Sequence, residues 1–187
     1  MFKLLNKFFG GKVKSEEGIG LSVKAVQRSS LDSLFEKHFN ESSLLKKNTF
    51  DIVIKHLKNE INLNKSGSKL TTSEKKELGL NARLSITSDL VAVLSKSGLE
   101  LADPKDSLKQ IYYRATFEAN RIENIERMLS LGIETATYTS CKDERDCEWC
   151  KANDGRKFIV SEAINAEVNQ RCSCDWNRGV FSPEINI

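Results

Sequence analysis

With 187 residues, 39% hydrophobic and 29% charged, the chain is long enough for one ordinary domain or two small ones and has enough apolar residues to bury a core. Its longest uninterrupted apolar run, Leu90 to Leu94, falls far short of the roughly 18 residues that a membrane-spanning helix needs, so no such helix is expected. The formal net charge of +3 is too small to single out a nucleic-acid binder.

The opening Met1 to Phe9 places Phe2, Leu4, Leu5, Phe8 and Phe9 at helical spacing before Gly10-Gly11, which predicts a short amphipathic helix and a flexible joint. Interleaved Lys3 and Lys7 and the lack of a small-residue cleavage site distinguish it from a secretion signal, so cytoplasmic synthesis is expected. Its apolar face needs a partner: the protein's own core, a neighbouring subunit or, less directly, a membrane surface. Residues 1–70 carry 13 basic and 7 acidic side chains against 16 and 19 in the remainder, so the front is the basic part. Its lysines are scattered among few aromatics, which reads first as a solvated helical surface and leaves nucleic acid open as a partner.

Ser29 or Ser30 can cap a helix carrying Leu31, Leu34, Phe35 and His38, and Asn48 or Thr49 another that buries Phe50, Val53, Ile54 and Leu57. His38 and His56 have no second histidine or cysteine nearby and read as surface or core-edge residues. The polar stretch around 62–71 marks a linker between a helical region, 1–61, and a second part, 72–187. Thr72 or Ser73, followed by Glu74 and Glu77, starts a helical region that runs, broken near Gly79, to Ser97-Gly98. Asp103-Pro104 then reads as N-cap and first position of the longest helix, with Leu108, Ile111, Ala115, Ala119, Ile122, Ile125 and Leu129 on one face and Gly132 at its end. Beyond Gly132, Ile133 to Thr139 and Lys157 to Val160 alternate as strands, Ser161 caps a brief helix over Glu162 to Glu167, and Cys172 to Trp176 reads as a last extended segment. The fold class is therefore α+β, a helical N-terminal region and long helix followed by a small mixed α/β module.

That module carries four of the five cysteines as Cys147-x-x-Cys150, 21 intervening residues, and Cys172-x-Cys174. Thiolates a few residues apart on a turn can converge on one cation, and tetrahedral zinc takes four of them. The segment is too small and polar to build a core unaided, which is where a structural metal supplies folding free energy. A disulfide, a thioredoxin-type redox pair and plainly buried thiols are the competing readings, and Cys141 is close enough to replace one ligand. Four thiolates leave no open coordination position, so the metal argues for architecture rather than catalysis, and no catalytic residue is assigned. Asp143, Arg145 and Asp154 crowd the cysteines as turn formers and supports of the metal ligands, or else as a polar site. Arg114, Glu118 and Arg121 lie on one face of the long helix, where Glu118 is expected to be covered by the module with Arg145 or the Asp143 turn as partner.

Tyr113 to Arg121, Asn124, Arg127, Leu131-Gly132-Ile133, Thr139, Asp143-Glu144-Arg145, Cys147, Cys150 and Asp154-Gly155 together resemble the C-terminal region of the phage Mu F-like minor head proteins. That family shows an A-R-T-E-like helix, a glycine turn into a strand, a D-E-R-x-C-x-x-C-x-x-x-D-G segment and a terminal H-P-x-C-R-C. The resemblance covers about residues 107–176. Asn169 stands where the family has histidine and Ser173 where it has arginine, so a role of that histidine does not carry over; relatives also have a longer helical front. The resemblance implies a phage or prophage origin, a part in head morphogenesis within the cytoplasm or virion, and a protein partner for the N-terminal helices such as the portal or another head component. The alternative from another class is a compact enzyme or toxin-like effector on the same module, or a zinc-dependent adaptor for nucleic acid or protein.

Overall fold

The computed structural model of the chain describes residues 31–184. The expected helix at Met1 to Phe9 and the caps Ser29 and Ser30 lie outside the described residues. Helix α1 occupies 31–41 and buries Leu34, Phe35, His38 and Phe39. A 3-10 turn, Lys47–Thr49, leads into α2 (Phe50–Leu57), which buries Val53 and Leu57 as its periodicity requires. Thr49 sits at the N-cap, yet its hydroxyl donates to Lys46 O instead of capping the helix.

The polar stretch 62–71 runs along the body of the fold. Leu63 is fully buried, Leu70 N donates to Ile86 O, and Lys69 bridges Thr87. Leu34, Val53 and Leu57 before it and Leu80, Leu90 and Leu108 after it share one core. Helix α3 (Thr72–Glu77) begins at Thr72, the first of its two expected starts, with Thr71 and Glu74 forming a reciprocal capping box. The chain is not helical over 80–87; it resumes as α4 (Ser88–Val93) and α5 (Lys96–Leu99).

Helix α6 (Asp106–Ser130) is the spine. Lys105, not Asp103, is its N-cap residue, while Asp103 Oδ1 accepts from Lys105 N at 3.0 Å and so orders the preceding turn. Leu108, Ile111 and Ala115 complete the first core, and Ile125 and Met128 enter a second. Leu129, expected on the buried face, is exposed; Met128 takes the core position because the stripe drifts around the helix. Gly132, at φ +69, closes the helix in the left-handed conformation that costs glycine least.

The second core belongs to a three-stranded antiparallel sheet of order β2-β1-β3, formed by β1 (Thr135–Thr139), β2 (Lys157–Ile159) and β3 (Val180–Pro183). Ala136 faces Phe158, and Tyr138 faces Phe181, so one face of the sheet is apolar and packs with Ile125, Met128, Ile164 and Val168. Two helices frame it, α7 (Glu148–Asn153) and α8 (Ala163–Arg171). Helix α8 outruns its sequence signal, which ended at Glu167. Cys172 to Trp176, expected as a last strand or extended segment, is instead a bent loop; the third strand forms eight residues later, where pairing with β1 begins. A Cβ on Gly179 would stand 2.2 Å from the Tyr138 hydroxyl, so the loop passes over that ring only as glycine. The molecule is thus α+β, helices first and sheet module last, with α6 shared between two cores.

Candidate metal centre

The four cysteines come from two helix ends. Cys147 is the N-cap residue of α7 and Cys150 lies one turn on; Cys172 is the C-cap residue of α8 and Cys174 follows in the loop. Their sulfurs lie within 4.8 Å of one another. Cys147 Sγ is 3.8 Å from both Cys150 and Cys172, and Cys150 Sγ is 3.7 Å from Cys172 and from Cys174. A cation with four thiolates at about 2.3 Å has tetrahedral edges of about 3.8 Å, so the spacing fits one ion held at the centre. All five cysteines are free thiols, Cys141 being exposed and outside the cluster.

Hydrogen-bond donors converge on the sulfurs. Cys147 N donates to Cys174 Sγ at 3.3 Å, and Tyr138 Oη donates to Cys150 Sγ at 3.4 Å. Asn177 Nδ2 reaches Tyr138 Oη at 2.8 Å, Cys150 Sγ at 3.3 Å and Cys172 Sγ at 3.4 Å, tying the loop after α8 to the sheet. Burial pushes the Cys147 thiol up, but bonds from the backbone of Cys150 and Ser173 and from the Ser173 side chain outweigh it and bring it down to about 6. Burial pushes Cys150 and Cys174 up. A cation would have to displace their protons, which ties its binding to pH. Trp149, Tyr138, Phe158 and Phe181 form the apolar wall, with Tyr138 and Trp149 edge to face at 5.1 Å.

Asp143, Arg145 and Asp154 do not converge on a cleft. Arg178, which no sequence pattern marked, donates to both oxygens of Asp143 at 2.7 and 2.6 Å, and Arg145 adds a bond at 3.2 Å. The Arg178 guanidinium holds the Asp143 carboxyl well below the usual carboxylate range. Asp154 accepts from Ser140 N at 3.0 Å and pairs with Lys142 at 3.1 Å, and the Ser140 backbone bond lowers its pKa. Buried Asp146 accepts from Lys142 N at 2.6 Å. These carboxylates are occupied in shaping the loop before α7.

Glu118 is buried, but its partners are not Arg145 or the Asp143 turn. Asn165 and Asn169, one turn apart on α8, donate to its Oε1 at 3.0 and 2.6 Å; Lys37 reaches both oxygens at 2.9 and 3.1 Å, and His38 Nε2 lies 2.7 Å from Oε2. The same two asparagines accept from Arg121 Nε and Nη2, both at 2.8 Å. Burial pushes Glu118 up, yet the bonds from His38, Lys37 and Asn165 more than reverse it and hold the carboxyl far below its ordinary range. Two i, i+4 asparagines thus clamp an acid and a base on the facing helix. His38, read as a core-edge residue, is a buried partner of this hub.

Comparison with protein-family models, with curated proteins and with solved structures finds no match for this chain. Among the described residues the four cysteines form the one His, Cys or carboxylate group spaced to hold a metal ion, and no helix is long and apolar enough to cross a membrane.

Proposed function

We propose that the four cysteines hold one structural zinc ion and that the chain is a phage- or prophage-type minor head or head-morphogenesis protein. The observation that carries the metal reading is the near-tetrahedral set of sulfur separations, with N–H and O–H donors aimed at the same sulfurs. Zinc is the chemical choice because it is redox-inert, indifferent to d-electron geometry and well served by four thiolates. Cys147, Cys150, Cys172 and Cys174 would bind it and close its coordination sphere, so its contribution is to the fold.

The phage reading rests on the resemblance of residues 107–176 to the Mu F-like family, supported by where the matching residues lie. Arg114 donates to Asp175 O at 2.5 Å, Asn124 to Phe181 O at 2.7 Å, and Gly155 N to Tyr138 O at 2.8 Å, while Glu118 and Arg121 meet α8. The pattern is thus one of helix-to-module contacts, as an architectural module needs. In this reading the helical front engages a protein partner, the portal or another head component, in the cytoplasm and then in the virion. Elemental analysis of the reduced protein tests the metal, with about one zinc per chain expected. Co-purification with the head proteins encoded beside it tests the assembly role; consistent failure to associate with any of them would sink that half.

A further inference from the structure

We propose that the metal acts as a latch for the helical half of the molecule, its occupancy transmitted through α8 and Asn169 to Glu118 and so to α1. This rests on the metal reading above and adds to it a coupling that neither the cysteine pattern nor a closed site implies.

The path is one of direct contacts. Cys172 caps the C-terminus of α8, so an ion that fixes its sulfur also fixes the end of that helix. One turn before it Asn169 donates to Glu118, and one turn earlier still Asn165 does the same. From the other side Glu118 accepts from Lys37 and His38 on α1, a helix more than 75 residues away in sequence. The carboxylate is the meeting point of three helices, two from the first core and one from the cysteine module.

Physical chemistry makes this junction responsive. A buried carboxylate stays ionised only while donors surround it; with α8 displaced, Glu118 keeps the α1 donors but loses two amides and admits water. Apart from these amides, which also accept from Arg121, only Ile164 and Val168 of the α8 residues are buried. The seam is also loosely filled. A pocket of about 140 Å³ lies between α1, α6 and the loop after Cys172, lined by Lys37, His38, Arg114, Asn169, Cys172 and Trp176. Hydrophobic anchoring by Leu34, Phe35 and Phe39 keeps α1 on the first core, so the expected response is a loosening of its 37–41 end rather than its release.

The test is hydrogen exchange on the full chain, zinc-loaded and after chelation, together with zinc-loaded Asn169→Ala and Glu118→Gln. Chelation should raise exchange in α8 and by about tenfold at 37–41 while α2 to α4 keep their protection. Asn169→Ala should reproduce the change at 37–41 with about one zinc still bound, and Glu118→Gln should make 37–41 insensitive to chelation. Loosening of the module with 37–41 unchanged would overturn the latch and leave the metal site standing. Equal loss of protection everywhere would overturn it too, since the whole chain would then be one unit. Purified protein that takes up no metal would sink the metal reading itself, and with it the latch.

Discussion

Asn169 Nδ2 stands 2.6 Å from Glu118 Oε1 while its Oδ1 accepts from Arg121 at 2.8 Å, so one amide spans an acid and a base a turn apart on the facing helix. Asn165 repeats the arrangement one turn away, with Glu118 at 3.0 Å and Arg121 at 2.8 Å. A neutral amide suits this place because it offers a donor and an acceptor together. Asn169 is also one of the two positions, with Ser173, at which the sequence departs from the Mu F-like pattern it resembles, and here its work is to join helices.

Asn169→Ala should therefore cost about 1.5–3 kcal/mol, the range for a hydrogen bond to a charged group, with a further penalty for leaving Arg121 half-satisfied in a buried place. Asn169→Asp should be worse, since it sets a second carboxylate against Glu118. Urea unfolding of both variants checks the order; an Asp variant as stable as the parent would count against the geometry.

Acid should weaken the same joint. Because the folded protein holds Glu118 far below the ordinary glutamate value, the unfolded chain binds its proton more readily, and the stabilisation is complete above about pH 4.3 and lost as pH falls below it. Thermal unfolding of the parent and of Glu118→Gln from about pH 6 to pH 3 should show two midpoints that converge toward the acid end. A constant gap would mean that Glu118 titrates alike folded and unfolded.

What was legible in the sequence was local. Apolar spacing marked α6, Gly132 marked its end, alternation marked β1 and β2, and paired cysteines marked a cluster able to hold a metal ion. What was not legible joins positions far apart with no shared period. Lys37 and His38 find Glu118 about 80 residues on, Asp143 finds Arg178 35 residues on, and Asn177 finds three partners through the sheet. Single polar residues of this kind leave no trace until topology brings them together. The segment 62–71 misled for a related reason: its polar composition hid one leucine that goes fully inside.

That leucine offers a direct check. Leu63 lies in the core formed with residues from both sides of the segment, so Leu63→Ala should cost about 2–5 kcal/mol, as removing a buried leucine does. In a solvated linker the same change would lie within about 0.5 kcal/mol. Denaturant midpoints separate the two.

Gly179 is a second check, on the sheet module. An alanine there would bring its Cβ within 2.2 Å of the Tyr138 hydroxyl, which itself donates toward Cys150 and accepts from Asn177. Either the loop or the ring must move, at an overpacking cost of roughly 1–3 kcal/mol. The disturbance should reach the metal, so Gly179→Ala should lose zinc to a chelator faster than the parent.

The cysteines give the most decisive prediction. Cys150 is buried against Tyr138 and Trp149, and its sulfur is 3.7 Å from both Cys172 and Cys174. Cys150→Ser keeps the size of the side chain but exchanges a soft thiolate for a hydroxyl that zinc binds poorly, so metal content should fall from about one per chain to well below it. Structural zinc in small modules supplies on the order of 10 kcal/mol of apparent folding free energy, and all four cysteines pack in or against the second core. The loss should therefore appear as unfolding of β1 to β3 and α8 well before α2 to α4. Cys141→Ser, outside the cluster and exposed, should retain the metal and the fold. Low pH should mimic the Cys150 variant, because burial keeps the Cys150 and Cys174 thiols protonated unless a cation displaces the protons, and affinity must drop as proton concentration rises. Chelator competition followed at several pH values reads this directly: tighter metal retention toward alkaline pH is expected, and retention independent of pH would mean that these thiols are not the ligands.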